Sequence, residues 1–233
     1  MTSCGRAMRR RDGLRVLIGC ETSGIVRRAF AARGHDVWSV DIRPSEDRSN
    51  RHIVGDVRDY LSDGWDLLAV MHPPCTRLCN SGVRWLSVPP PGRTREEMWR
   101  ELEEGAALFS DCWNAPIPRI AVENPVMHRH AKGLIRNYEP FAQSVQPWQF
   151  GHPETKRTCF WLKGLPPLTP TNVVDGRLAR VHRMPPGPDR WRERSRFFTG
   201  IAEAMADQWG AAALDALALG PSCACPVPEA VRA

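Results

Sequence analysis

Residues 15–24 read RVLIGCETSG. Arg15 to Gly19 is a short apolar run that stops at a glycine, which predicts a buried strand. Glu21-Thr22-Ser23-Gly24 then forms a turn. Ile25 to Arg33 follows with helical spacing (Ile25, Val26, Ala29, Phe30), and Gly34 is placed to end it. Outward from this unit, Asp36–Val40 reads as a second strand ending at Asp41. His52–Val54 reads as a third, ending at Gly55-Asp56, and Trp65–Met71 as a fourth, ending at His72-Pro73-Pro74-Cys75.

Thr94-Arg95-Glu96-Glu97 is a capping box opening a helix to about Trp113, with Met98, Leu102, Ala106, Leu108 and Phe109 for its apolar side. Arg119–Val122 reads as a fifth strand, ending at Glu123-Asn124-Pro125. Ser144–Gln146 and Cys159–Leu162 are candidates for two more, and Phe198–Leu219 reads as a closing helix stopped by Gly220-Pro221. The alternation predicts an α/β protein with a doubly wound, mostly parallel sheet of Rossmann-like type. In that architecture ligands bind beyond the carboxyl ends of the strands. Glu21, Asp41, Asp56, Cys75 and Glu123 each fall at such an end.

The chain has 233 residues, 42% of them hydrophobic and 25% charged, values of an ordinary globular protein with a sizeable core. No stretch reaches the roughly 18 uninterrupted apolar residues of a membrane span. Residues 1–13 are basic (Arg6, Arg9, Arg10, Arg11) and lack the apolar h-region of a signal peptide. The expectation is a cytoplasmic protein with no membrane association. Eight cysteines are scattered without paired metal-ligand spacing, so neither a disulfide framework nor a bound metal is expected. The net charge of +6 is carried mainly by arginine, Lys132, Lys156 and Lys163 being the three lysines. Arginine suits bidentate phosphate contact, which gives nucleic-acid binding a modest boost. The expected organisation is a flexible basic arm (1–13), a catalytic core (14–163), a Pro/Arg-rich insertion that could serve as a reduced recognition region (164–196), the closing helix (197–219) and a flexible tail (220–233).

On the first three strands the residues suit a nucleoside. The turn from Gly19 to Gly24 lets a ligand approach the backbone, Asp41 can accept both ribose hydroxyls, and Asp56 can accept from an adenine amino group. The glycine spacing is not GxGxxG, so an adenosyl ligand fits better than a dinucleotide. Each acid also suits a solvated loop position. On the next two strands, Pro73-Pro74 stiffens the approach to Cys75, and Glu123-Asn124-Pro125 ends the neighbouring strand in a rigid turn. A thiolate at Cys75 could add to an electron-poor ring while Glu123 delivers a proton to a ring nitrogen. A small buried hydrophobe is the commoner role of a free cysteine.

These residues together resemble the cytosine carbon-5 methyltransferases, most closely the short phage and prophage forms described as DNA cytosine methylases. The resemblance spans about Arg15 to Trp209. Gly19-Cys20-Glu21-Thr22-Ser23-Gly24 stands where that family has a Phe-x-Gly-x-Gly cofactor loop. Asp41 matches its ribose-binding acid and Gly55-Asp56-Val57 its adenine-contact segment. His72-Pro73-Pro74-Cys75, with Ser81-Gly82, resembles the Pro-Pro-Cys nucleophile loop, and Glu123-Asn124-Pro125 resembles Glu-Asn-Val. Lys156-Arg157-Thr158-Cys159-Phe160 resembles Arg-x-Arg-x-Phe, and Phe197-Phe198-Thr199-Gly200-Ile201 a closing cofactor motif. The loop lacks the family's aromatic residue, Lys156 and Thr158 replace the two arginines, and no large target-recognition domain is present.

The resemblance implies an S-adenosyl-L-methionine-dependent enzyme that methylates carbon 5 of cytosine in DNA, in a bacterial cell or phage-infected host. It implies Cys75, Glu123, Lys156 and Arg157 as catalytic residues. It implies Gly19, Cys20, Glu21, Ser23, Gly24, Asp41, Ile42, Asp56, Val57 and Pro73 as cofactor residues. The target base must leave the stack, at a cost of a few kcal/mol. Arg84-Trp85 could close over it, and Arg190, Arg192 and Arg194 could track phosphates with Trp191 stacking on a base. Each stretch also reads as a solvated surface. His72 could orient the nucleophile loop, and His128, His130 and His152 read as loop residues. The same chemistry on RNA or a free pyrimidine nucleotide, or a silent nucleic-acid-binding relative, are the competing readings.

Overall fold

The computed structural model describes residues 13–187 and 190–219, with the Trp191 side chain left out. The arm, the tail, and Cys4, Cys223 and Cys225 lie outside the described residues. Seven strands form one sheet: β1 (Arg15–Gly19), β2 (Asp36–Asp41), β3 (His52–Val54), β4 (Leu67–Val70), β5 (Ile120–Asn124), β6 (Gln143–Val145) and β7 (Thr158–Lys163). Their order across the sheet is β3-β2-β1-β4-β5-β7-β6. Strands β1 to β5 pair in parallel, and β7 runs antiparallel between β5 and β6. The sheet is therefore doubly wound and mostly parallel, and the chain reverses its direction of travel between β1 and β4.

Both faces are covered, so successive residues of each strand enter opposite cores. Val16 and Ile18 of β1, Leu67 and Ala69 of β4, and Ala121 of β5 enter one core. Leu17, Leu68, Val70, Ile120 and Val122 enter the other. The first core is closed by α1 (Ile25–Ala31) and α6 (Thr199–Leu219), which supply Val26, Phe30, Met205 and Trp209. The second is closed by α2 (Arg95–Trp113) through Met98, Leu102, Ala106 and Phe109. The box that opens α2 is formed in full: Glu97 N–H donates to Thr94 Oγ1 at 3.2 Å and Thr94 N–H to Glu97 Oε2 at 2.9 Å.

Several expectations change in detail: β5 runs on through Glu123 and Asn124, which pair with Phe160 and Cys159 instead of forming a turn, α1 ends at Ala31, and β7 gains a residue at each end. β4 starts at Leu67, because Asp66 turns its carboxylate to the Arg15 N–H at 2.7 Å and the Trp65 indole donates to Tyr60 O. Three short helices, α3 (Arg129–Leu134), α4 (Arg180–Arg183) and α5 (Arg190–Ser195), arise where no periodic apolar pattern marked them. Residues 164–187 lie as a strap against the core. Leu168 and Val181 are buried, Trp209 Nε1–H donates to Pro166 O, and Gln143 exchanges two bonds with the Leu168 backbone. No helix among the described residues is long and apolar enough to cross a membrane.

Leu102 is fully buried in the middle of α2. Leu102→Ala should lower the unfolding free energy by about 2–5 kcal/mol, read from denaturant titration with an unchanged m-value.

Candidate active site

At the carboxyl end of β1 the backbone ties both neighbours together: Met71 N–H donates to Gly19 O and Cys20 N–H to Val40 O. Gly19 is required by close packing, since a Cβ there would stand 2.9 Å from a methyl of buried Val57. Glu21 is buried, and its carboxylate accepts from Val26 N–H at 2.7 Å, Arg27 N–H at 3.2 Å and Ser23 Oγ at 3.1 Å. Burial raises its pKa, and the same three donors oppose that rise. Glu21 and Ser23 thus serve the N-terminus of α1, where a negative charge is favoured, and Gly24 is the residue that caps it.

Asp41 ends β2 half-buried and accepts the Arg43 N–H at 3.0 Å, burial raising its pKa. Ile42 beside it is 74% exposed, an apolar plate at the mouth of the site. Asp56 accepts the Arg58 N–H at 2.9 Å, and the Arg58 guanidinium grips both its oxygens and lowers its pKa. The Cys20 thiol is pushed up by burial, by Cys112 and then by Asp41 and Asp56. The ends of β1, β2 and β3 therefore share one space.

On the other side of β1, Pro73 is buried and Cys75 is half-buried. The Cys75 carbonyl accepts from the N–H groups of Leu78 and Cys79, closing one helical turn. Gly82 lies against this turn, where a Cβ would stand 1.8 Å from Thr76 O, so the stretch 72–82 admits no side chain there. The turn is zipped to the segment after β5. Asn80 N–H donates to Val126 O, His128 N–H to Leu78 O, and His128 Nε2 to Arg77 O at 2.5 Å. Ala131 N–H donates to His128 Nδ1, so the ring proton sits on Nε2 and His128 both caps α3 and pins the loop. His128 was read as a loop residue, and nothing local in the sequence marks this role.

Glu123 and Phe160 are register partners on one face of the sheet, and Asn124 and Cys159 on the other. Lys156 lies two residues before β7, and its charge bears on both Glu123 and Cys75. Burial raises the Glu123 carboxyl to about 7, against the pull of Lys156. Burial also raises the Cys75 thiol to about 12, helped by Glu123 and Cys79 and opposed by Lys156. Burial depresses Lys156 itself, while Glu123 and Cys75 hold its proton on. Its Nζ donates to Arg196 O at 3.4 Å. Cys75, Glu123 and Lys156 thus form one coupled cluster.

His72 joins it, with Nδ1 3.8 Å from Glu123 Oε2 and its ring against Phe197 at 5.6 Å. Arg157 is exposed on the opposite side, over the Phe141 ring and beside Cys159. Arg84 stacks on Trp85 at 3.9 Å. On α5, Arg190 donates to Met184 O, Arg194 bears on Lys156, and Arg192 is half-buried. No group of three or more His, Cys, Asp or Glu among the described residues is arranged to hold a metal ion.

No family model matches the chain, and no curated protein does. Two solved structures show a partial likeness. One is an E. coli protein described as a candidate DNA modification methyltransferase encoded within a prophage, 17% identical, with 70% of this chain and 52% of that one aligned at a TM-score of 0.43. The other is the Dnmt2 methyltransferase of S. pombe, 15% identical, with coverage of 72% and 53% and a TM-score of 0.36. The chain spans about half the length of each.

The raised Glu123 carboxyl carries a stability cost. Its folded pKa, about 7, lies above the ordinary 4.5, so the native state loses stability as pH rises between those values. Glu123→Gln should therefore be more stable than the parent by about 3 kcal/mol above about pH 8. That gain should vanish as pH falls toward 4.5 in thermal or denaturant unfolding.

Proposed function

We propose that the chain is an S-adenosylmethionine-dependent methyltransferase acting on carbon 5 of cytosine in DNA through a covalent Cys75 adduct. The observation that carries this reading is the placement of Cys75, Glu123 and Lys156 at the ends of the neighbouring strands β4, β5 and β7, with β1 between them and Asp41. The residues on the β1–β3 side fit the cofactor. Gly19 has no room for a side chain and leaves its backbone close to the site, Asp41 offers an acceptor to ribose hydroxyls, and exposed Ile42 offers an apolar surface to a purine. Asp56 would meet an adenine amino group only with Arg58 already on its carboxylate, and Glu21 would act by holding the loop. Bound there, S-adenosylmethionine would supply an electrophilic methyl group.

The protein's own part is proton and thiol chemistry. Above about pH 7, Glu123 is mostly a carboxylate while Cys75 remains a thiol, because burial lifts them to about 7 and about 12. Glu123 can then take the Cys75 proton and deliver it to the cytosine ring nitrogen while sulfur adds to carbon 6. The addition leaves carbon 5 as an enamine carbon, and Lys156 offsets the charge of the thiolate as it forms. Once carbon 5 carries the methyl group, its proton would pass to water, the sulfur–carbon bond would break, and Glu123 would return the ring-nitrogen proton to the departing thiolate.

A second reading, the same chemistry on single strands, RNA or a free pyrimidine nucleotide, is favoured by the docking of residues 164–187 on the core, where they form no separate recognition unit. A base already outside a duplex carries no unstacking cost. Arg84 over Trp85, with Arg190, Arg192 and Arg194 on α5, supplies a basic and aromatic surface for a strand.

Labelled methyl transfer to duplex DNA, single-stranded DNA, RNA and free cytidine nucleotides, with Cys75→Ala as control, tests the reading. Label at carbon 5 of cytosine should be abolished by Cys75→Ala. A Cys75→Ala protein that still places label there rules the mechanism out. The pH profile is a separate test. The rate should fall about tenfold per pH unit below about 7, where Glu123 becomes protonated and cannot accept the thiol proton, and level off above it.

A further inference from the structure

His72 precedes the two prolines of the nucleophile loop and is absorbed by no step above. Three observations set it apart. Its Nδ1 faces Glu123 Oε2 at 3.8 Å. Its ring is braced by Phe197 on the segment leading into α6. Its Nε2 has no solvent contact and no hydrogen-bond partner among the described residues. Buried polar groups are ordinarily paired, and an exception in a cleft points to a functional role. With Glu123 ionised, Oε2 can only accept, so a bond from the facing Nδ1 requires the ring proton there and leaves Nε2 a bare acceptor. Burial and the Lys156 charge both keep the ring neutral.

We propose that His72 is a positioning residue for Glu123: its Nδ1–H closes onto Oε2 when a base enters the site and turns Oε1 toward the Cys75 thiol and the ring nitrogen. The inference rests on the reading of Glu123 as the proton carrier. The distance of 3.8 Å is longer than a hydrogen bond, and catalytic contacts commonly tighten only in the complex. Among the described residues, the charged and titratable groups around the pair are Lys156 before β7, Cys159 of β7 and Cys75 and Cys79 in the loop, with Arg194 of α5 bearing on Lys156. Lys156 already offsets the Glu123 charge from one side, and His72 adds a direct donor from the other. The donor favours the carboxylate, so its loss should move the Glu123 titration to higher pH.

The test uses three variants of the full chain. His72→Asn places an amide nitrogen near the Nδ1 position, His72→Gln places one near Nε2, and His72→Phe keeps the ring without a donor. Each is assayed for methyl transfer from S-adenosylmethionine to duplex DNA, single-stranded DNA, RNA and cytidine nucleotide across pH, and for a covalent adduct with duplex and single-stranded 5-fluorocytosine oligonucleotides by intact mass. His72→Phe and His72→Gln should lose roughly ten- to a hundred-fold in kcat. Their acid limb should move above its parental position near pH 7, with KM for S-adenosylmethionine within about threefold. His72→Asn should restore both rate and limb. Parental rate and limb in His72→Phe overturn the proposal, as does equal loss in all three variants with native melting temperatures. A parent protein that transfers no methyl group and forms no adduct overturns the reading of Cys75 and Glu123 itself. An active parent with an indifferent His72 overturns this inference alone.

Discussion

A parallel sheet covered on both faces admits a polar side chain along its strands only where it is paired, as Ser39 is with Arg27, so most polar groups collect where the strands end. The five parallel strands end on one edge, and Glu21, Asp41, Asp56, Cys75 and Glu123 all stand there. The strand order reverses between β1 and β4 on that edge, the position where sheets of this kind hold ligands. Gly19 sits at that point, its carbonyl accepting from Met71 just after β4 while the next residue bonds β2.

The cluster beyond β4 and β5 depends on two different kinds of force. Backbone bonds from 126–128 to 78–80, reinforced by the His128 ring on Arg77 O, fix the loop that carries Cys75 against the end of β5. Within that frame, burial sets the proton inventory. It lifts Glu123 to about 7 and Cys75 to about 12, values that keep the thiol protonated and put the carboxyl at its midpoint near neutrality. A carboxyl in that range can both accept and release a proton at little cost, whereas an ordinary solvated one releases it far more readily than it accepts. Lys156 moderates both shifts, and without it the pair would carry more uncompensated charge on ionisation.

The loop after β2 joins the two halves of the edge. Buried Arg27 reaches Ser39, Ser49 and Asp47, which anchors residues 43–51 over α1. From that loop Glu46 bonds Thr22 in the turn after β1 and pairs with Arg196 at 2.5 Å. The Arg196 carbonyl in turn accepts from Lys156. The nucleoside-like side and the thiol side are thus parts of one hydrogen-bonded rim.

Much of this was legible in the chain. RVLIG followed by a turn and helical spacing marks β1 and α1, because apolar periodicity and glycine are local signals. Thr94 and Glu97 mark the start of α2 for the same reason, and the strand-end positions of Asp41, Cys75 and Glu123 follow from strand lengths alone. The direction of β7 did not follow, since an apolar run reads alike in either direction, and only pairing with β5 and β6 makes it antiparallel. Just before β7, Lys156 bears on Glu123 and Cys75 while its neighbour Arg157 lies over Phe141, although both stood together in the motif. Nor could the sequence show Arg58 on Asp56, His128 on Arg77, or His72 beside Glu123. The sequence by itself determined which residues end strands and which faces are apolar, because both depend on neighbours within a few positions. The tertiary structure decided which polar groups meet and how burial shifts their protons, because partners as far apart in the chain as His72 and Glu123 meet only when the sheet closes.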